Sequence, residues 1–280
     1  MEAKDIEFGV ELETTAPRGL VNIGCYHDPR QVSFLPQGWG ASRDGSIDAD
    51  AGFSPCEIVS PRLKGDDGIR QLLEVCTKLR ERGFKVNSSC GVHVSVNWGR
   101  FEYNREMTKL VTMTSYLEKA IYASTGTHRR ENGQWCKSVR QYGKVDEAMP
   151  TLKRDRYHLL NLTNFARGQE RVEFRAFSPS LNATKIAGWI QLCLGIVEKS
   201  KADGRLPAWE AKSSPEQVAF FGGVGQREMY RLMLYLGWYE STQRRRGNDG
   251  HGWGIISQTI SQHDIRCEIN RLAKKYDAAC

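Results

Sequence analysis

The stretch Ile6-Glu7-Phe8-Gly9-Val10-Glu11-Leu12-Glu13 constrains this chain more than any other. Ile6, Phe8, Val10 and Leu12 alternate with residues that include Glu7, Glu11 and Glu13. A period of two is the signature of a strand with one apolar and one acidic face. On the acidic face Glu11 and Glu13 stand about 6–7 Å apart. At an effective dielectric near 20, two ionised carboxylates at that separation repel by roughly 2–3 kcal/mol. A cation between them would remove that cost, and a divalent ion with oxygen ligands suits the gap, alone or brought by a phosphate-bearing substrate. The plainer alternative is an edge strand whose acids face water.

Later stretches repeat the design. In Cys90–Asn97 the valines alternate with His93, Ser95 and Asn97. Arg156–Phe165 reads as a strand with Leu160 and Leu162 inward and Asn161 and Thr163 on the opposite face. In Arg171–Phe177, Val172, Phe174 and Ala176 alternate with Arg171, Glu173 and Arg175. Cys56-Glu57-Ile58-Val59-Ser60-Pro61 is a short strand stopped by proline and adds Glu57. A polar outer face is ordinary in an antiparallel sheet, but these outer faces carry Glu, His, Asn and Arg where solvent more often meets Lys, Thr and Gln. An Arg–Glu–Arg row can be a cross-strand ion-pair ladder worth a few tenths to about 1 kcal/mol. It also suits a site that holds a metal on the acid and phosphate oxygens on the guanidinium forks. With helices on the apolar side, the other side becomes a concave sheet face lined with such ligands.

Helical spacing runs over Asp66–Arg82, Arg105–Tyr122, residues 183–200, Pro215–Phe221, Gln226–Tyr239 and Ser257–Tyr276. Ala16–Gly40 lacks a period and reads as a long loop, and a turn is expected around Asp44-Gly45. Residues 124–155 read as an extended loop or flap carrying His128, Arg129, Arg130, Trp135 and Lys137. The loop Arg244–Gly254 places glycines beside arginines, which can cradle phosphate, but it lacks the setting and the lysine of a P-loop. No internal repeat or composition break divides the chain, so a single domain over residues 1–280 is expected.

The net charge of +7 over 280 residues raises the question of a polyanionic partner. The excess is scattered, and its dense runs, Arg129-Arg130 and Arg244-Arg245-Arg246, carry no interleaved stacking aromatics. That points away from nucleic acid and towards a small phosphorylated or acidic ligand. No apolar run reaches the length of a membrane span, and the start shows no basic-then-apolar signal pattern, so a cytoplasmic location is expected. Eight cysteines without a CxxC pair or a zinc-site spacing are expected to be free thiols.

One order of motifs is more specific than any of them alone. Phe8-Gly9-Val10-Glu11-Leu12-Glu13, Asp44-Gly45-Ser46, Glu57-Ile58-Val59-Ser60-Pro61, Gly91-Val92-His93-Val94, Asn161 and Val172-Glu173-Phe174-Arg175 follow one another and are backed by a helix. This series resembles the amidoligase family of the carboxylate–amine ligase and glutamine synthetase superfamily, over about residues 6–200, with the last 80 as a helical extension. The resemblance implies an α+β fold with an antiparallel sheet, and ATP- and magnesium-dependent joining of a carboxylate to an amine through an acyl phosphate. It would make Glu11, Glu13 and Glu173 magnesium ligands, with Glu57 a further one. His93 would meet metal or nucleotide phosphate, Arg175 would clamp the transferring phosphate, and Asp44, Ser46 and Asn161 would lie near substrate. Strand parity adds Arg171 and Ser95 to that face. Other readings of the same faces are a phosphotransferase, which would need no amine, and a phosphate- or acid-binding module without turnover. Carboxylates with a single clear histidine form a hard-cation set and speak against a zinc hydrolase.

Overall fold

A computed structural model describes residues 2–99, 105–140, 145–202, 214–239, 252–256 and 258–279. The Arg244-Arg245-Arg246 run, the glycine loop as far as His251, and Cys280 lie outside the described residues.

The opening alternation becomes β1 (Glu7–Pro17), the longest strand. It pairs with β4 (Phe53–Val59) on one side and β6 (Val92–Asn97) on the other, while the short β5 (Leu63–Lys64) caps its Glu7 end. Outward from β4 lie β3 (Gly40–Ser42) and β2 (Arg30–Gln31). Outward from β6 lie β8 (Arg171–Phe177) and β7 (Leu160–Asn161). The order β2-β3-β4-β1-β6-β8-β7 is antiparallel throughout, and the architecture is a mixed α+β one.

Register follows from burial. Phe8, Val10, Leu12, Ile58, Val92, Val94, Val96, Val172 and Phe174 share one sheet face and are buried. Slipping β1 by one residue would drive its glutamates into that core and expose its apolar side chains, each worth ~1.5–3 kcal/mol when buried. Helices α1 (Gly65–Glu81), α2 (Arg105–Ala123) and α5 (Ala183–Lys201) cover this face. Close approach is built into the sequence: a Cβ at Gly68 would stand 2.9 Å from both Leu63 and Phe8, so only glycine lets α1 lie this near β1 and β5. Helix α5 is apolar nearly all round because it lies between the sheet and α8 (Gln262–Ala278), and its Trp189 stacks on Phe177 at 5.1 Å. The other C-terminal helices are α6 (Pro215–Phe221) and α7 (Val224–Tyr235), and α7 packs on α2 and α8. No described helix is long and apolar enough to cross a membrane. Seven cysteines, from Cys25 to Cys267, are free thiols.

Three local expectations are corrected. The strand expected over Arg156–Phe165 is reduced to Leu160–Asn161 and an isolated bridge from His158 to Lys137, and Thr163–Ala166 forms the short helix α4. The Asn161 side chain accepts a hydrogen bond from the Thr163 amide at 2.8 Å, which turns the chain where a strand would continue. The flap contains helix α3 (Val145–Leu152) despite its internal Pro150. The loop expected from Ala16 begins only after Pro17 and contains β2, whose exposed Arg30–Gln31 pair leaves no periodic signal.

Candidate active site

The sheet face opposite the helices gathers the acids, and antiparallel pairing is what gathers them. Glu11 lies opposite His93 and Glu13 opposite Glu57. Ser42 lies opposite Glu57, and Asn161 and Ser95 flank Glu173. Each pairing sets side chains about 5 Å apart on the shared face, so Glu11 and His93, 82 positions apart in the chain, become neighbours.

Several motif residues now have a physical reason. Ser60 accepts the Val10 amide at 2.8 Å and donates to the Pro61 carbonyl at 2.8 Å, sealing the sheet where β4 ends. In Asp44-Gly45-Ser46, the Ser46 amide and hydroxyl both donate to Asp44 Oδ1, each at 2.7 Å. This turn aims Asp44 at the sheet. Gly91 makes room for Arg130 of the flap, since a Cβ there would stand 3.0 Å from its guanidinium. Arg130 then donates to the Arg175 carbonyl at 2.6 Å.

Strand β8 carries a bulge. Val94 pairs with Phe174 but Val92 with Phe177, so Arg175 and Ala176 together oppose His93. The extra residue keeps Arg175 on the acid face while returning Phe177 to the core, a re-aiming that bulges commonly provide beside functional sites. Arg175 donates to Glu173 Oε1 at 2.6 Å, and Asn161 donates to Glu173 Oε2 at 2.6 Å.

His93 is enclosed, with Nδ1 3.2 Å from Glu11 Oε2 and 3.6 Å from Glu173 Oε1, and Nε2 3.5 Å from Glu13 Oε1. Burial first, then the positive charge of Arg175, pushes the imidazole down to about 4, outweighing the pull of Glu13 and Glu173. It is neutral at physiological pH, the form that can ligate a metal. Glu57 goes the other way. Burial, followed by the charges of Glu11, Glu13 and Asp44, raises its carboxyl to about 8, against the hydrogen bond from Ser42. The cluster carries more negative charge than its surroundings can balance.

Two groups of potential ligand atoms lie within 4.8 Å of one another: Glu11, Glu57 and His93, and Glu13, Asp44 and Glu57. Glu57 is common to both. Oxygen donors with one neutral imidazole fit a hard divalent cation. Glu173 belongs to neither group; its two oxygens accept from Arg175 and Asn161, and Oε1 lies 3.6 Å from His93 Nδ1. Ser46 acts through Asp44, and Asn161 through Glu173.

Above the cluster is a polar cavity of about 140 Å³, with Glu13, Asp44, His93 and Arg175 on its floor. Arg130 and Trp135 of the flap, Arg156 and Tyr157 just after it, and Tyr26 of the loop after β1 form its walls. Arg156 and Tyr26 carry no motif in the sequence; their only signal is that they meet, at 2.8 Å, across 130 residues. Arg171 and Ser95 are not brought to the cluster. They line a neighbouring, wider concavity of about 590 Å³ along the same strands, with Glu7, Asn97 and Arg62, which Ser95 joins from its place opposite Glu173. Parity puts Arg171 on the correct face, but four residues of extended chain, about 13 Å, separate it from Arg175.

No curated protein matches the chain. The family model described as "Putative amidoligase enzyme" matches residues 26–145 and 144–197. The match includes Asp44, Glu57, His93, Glu173 and Arg175 and begins after β1. It spans well over half of the 280 residues, and the chain therefore belongs to this amidoligase family.

Proposed function

We propose that this protein is an ATP- and magnesium-dependent carboxylate–amine ligase with a glutamine synthetase-like catalytic sheet, acting through an acyl phosphate. The observation that carries this reading is the pair of ligand groups sharing Glu57 beside Arg175, on an open sheet face of a chain in an amidoligase family. Glu11, Glu57 and His93 would hold one magnesium ion, and Glu13, Asp44 and Glu57 a second. Bound there, magnesium supplies neutralisation of the nucleotide phosphates.

A carboxylate does not condense with an amine at neutral pH, because its oxygen is a poor leaving group. In the first step a substrate carboxylate oxygen forms a bond to the γ-phosphorus, the bond to the β–γ bridging oxygen breaks, and ADP leaves. Such transfers are catalysed by positioning and charge neutralisation. Arg175 suits that work: Glu173 fixes its guanidinium, which faces the cavity floor beside His93. Its forked donors match phosphate oxygens. In the second step the amine nitrogen bonds to the acyl carbon, the bond to phosphate breaks, and phosphate leaves with the proton shed by nitrogen. Arg130 and Arg156 in the cavity wall suit a carboxylate substrate, and Trp135 and Tyr157, packed edge to face at 4.9 Å, offer it an aromatic wall. The wider concavity bearing Arg62 and Arg171 offers room for the nucleotide.

The test measures ADP and phosphate release from ATP with magnesium across a panel of carboxylates, with and without amines, comparing wild type with Glu173→Gln. Release that needs both carboxylate and amine and vanishes in the variant supports the ligase. ADP formation without amine and without free phosphate replaces it with a phosphotransferase. Tight magnesium–ATP binding without turnover across the panel would favour a binding module.

A further inference from the structure

A second cavity lies on the far side of Arg130 from the carboxylates. It encloses about 180 Å³, and its charged lining is entirely basic: Arg129, Arg130, Lys185 and Lys275. Hydroxyl-bearing Ser88, Thr125, Thr127 and Ser178 complete the polar part of its wall. These residues come from separate parts of the chain: the flap, the first turn of α5, and the last turns of α8.

The basic groups are poorly balanced. Among the described residues no carboxylate lies within 4 Å of Arg129, Arg130, Lys185 or Lys275. Glu268 is the acid whose charge reaches Lys185, and both of its oxygens are held by Arg271 at 2.8 Å. Burial first, and then the like charges of Arg271 and Lys275, lower the Lys185 ammonium below its ordinary value despite Glu268. Arg130 Nε is buried without a hydrogen-bond partner. The positive end of the 19-residue α5 dipole adds to the same potential, since Lys185 sits in its first turn.

Uncompensated cations held together around a cavity repel one another, and a dianion relieves all of them at once. We propose that this cavity is a phosphate-binding site, separate from the carboxylate cluster and joined to it by Arg130, and that its ligand is a phosphate dianion, free or as the monoester group of a larger molecule. The proposal does not rest on the ligase reading, because the site contains no acid and needs no magnesium.

Isothermal titration of the whole protein with inorganic phosphate in EDTA tests this, using wild type, Glu57→Gln and the double variant Lys185→Gln/Lys275→Gln. Wild type and Glu57→Gln should bind one phosphate with the same Kd, and the double variant should bind at least about tenfold more weakly. Lys185→Arg/Lys275→Arg, which keeps the charge, should retain binding and so separates lost charge from damaged packing. A parallel titration with glycerol phosphate identifies the source: tighter binding than inorganic phosphate assigns an esterified ligand, and weaker binding assigns the free ion. No phosphate binding in EDTA, or equal binding by wild type and the glutamine variant, would overturn the proposal.

Discussion

The carboxylate cluster and the basic cavity lie on either side of Arg130 and solve opposite electrostatic problems. The cluster concentrates Glu11, Glu13, Asp44 and Glu57 around a neutral His93. The cavity concentrates Arg129, Lys185 and Lys275 around a helix N-terminus. Strand register holds the first in place, and backbone pairing can hold like charges together at a cost. The second is assembled by a flap and two helix ends, with no shared ladder. The sheet builds its site through strand register, whereas the cavity exists only after the helices have packed.

The comparison breaks hardest at Glu173. Glu173→Gln removes the charge that fixes Arg175 and should lower ligase turnover by on the order of a thousandfold, measured as ADP release, while phosphate binding in EDTA stays at the wild-type value. If both fall together, the two sites are not separate.

Arg175→Lys keeps the charge but loses the fork. Turnover should fall by roughly a hundredfold, with a much smaller rise in the KM for ATP. Equal, small changes in both quantities would remove Arg175 from the transferring phosphate.

Gly91→Ala addresses the element between the sites. Its Cβ would press on the Arg130 guanidinium at 3.0 Å, so a few-fold loss should be seen both in turnover and in phosphate affinity. A change confined to one site would show that Arg130 serves only that one.

The smallest expected effect is on stability. Glu57 binds its proton more tightly folded than unfolded, so its contribution is full below about 4.5 and is lost as pH rises through about 8. His93 behaves oppositely: its contribution is full above about 6.5 and is lost as pH falls through about 4. The two slopes oppose each other below about 6.5, leaving Glu57 alone above it. Without metal the protein should therefore melt lower at pH 8 than at pH 6.5, and magnesium should raise Tm more at pH 8. Glu57→Gln should flatten that slope and abolish the magnesium response. An unchanged slope in the variant would assign it to other groups.

The residues of the sheet site were legible because a strand displays its two faces in alternate letters. Glu11, Glu13, His93, Glu173 and Arg175 could be assigned to one face from parity alone, and the structure puts them on it. Parity carries no information about position along the face, which is why Arg171 and Ser95 share it yet line a different concavity. Nor does parity show partnership. The family resemblance makes Glu173 a ligand, and its oxygens also accept from Arg175 and Asn161, while Asp44, from a turn, stands among the potential ligands.

Periodicity, set by local backbone geometry, was enough to read β1, β4, β6 and β8, the apolar helices behind them and the identity of the acidic face. Only the tertiary structure decided which acids meet, that a bulge in β8 aims Arg175, and that Arg129, Arg130, Lys185 and Lys275 surround one cavity. Those depend on register and helix packing between residues far apart in the chain, and the net burial that fixes such contacts is a property of the whole fold rather than of any stretch within it.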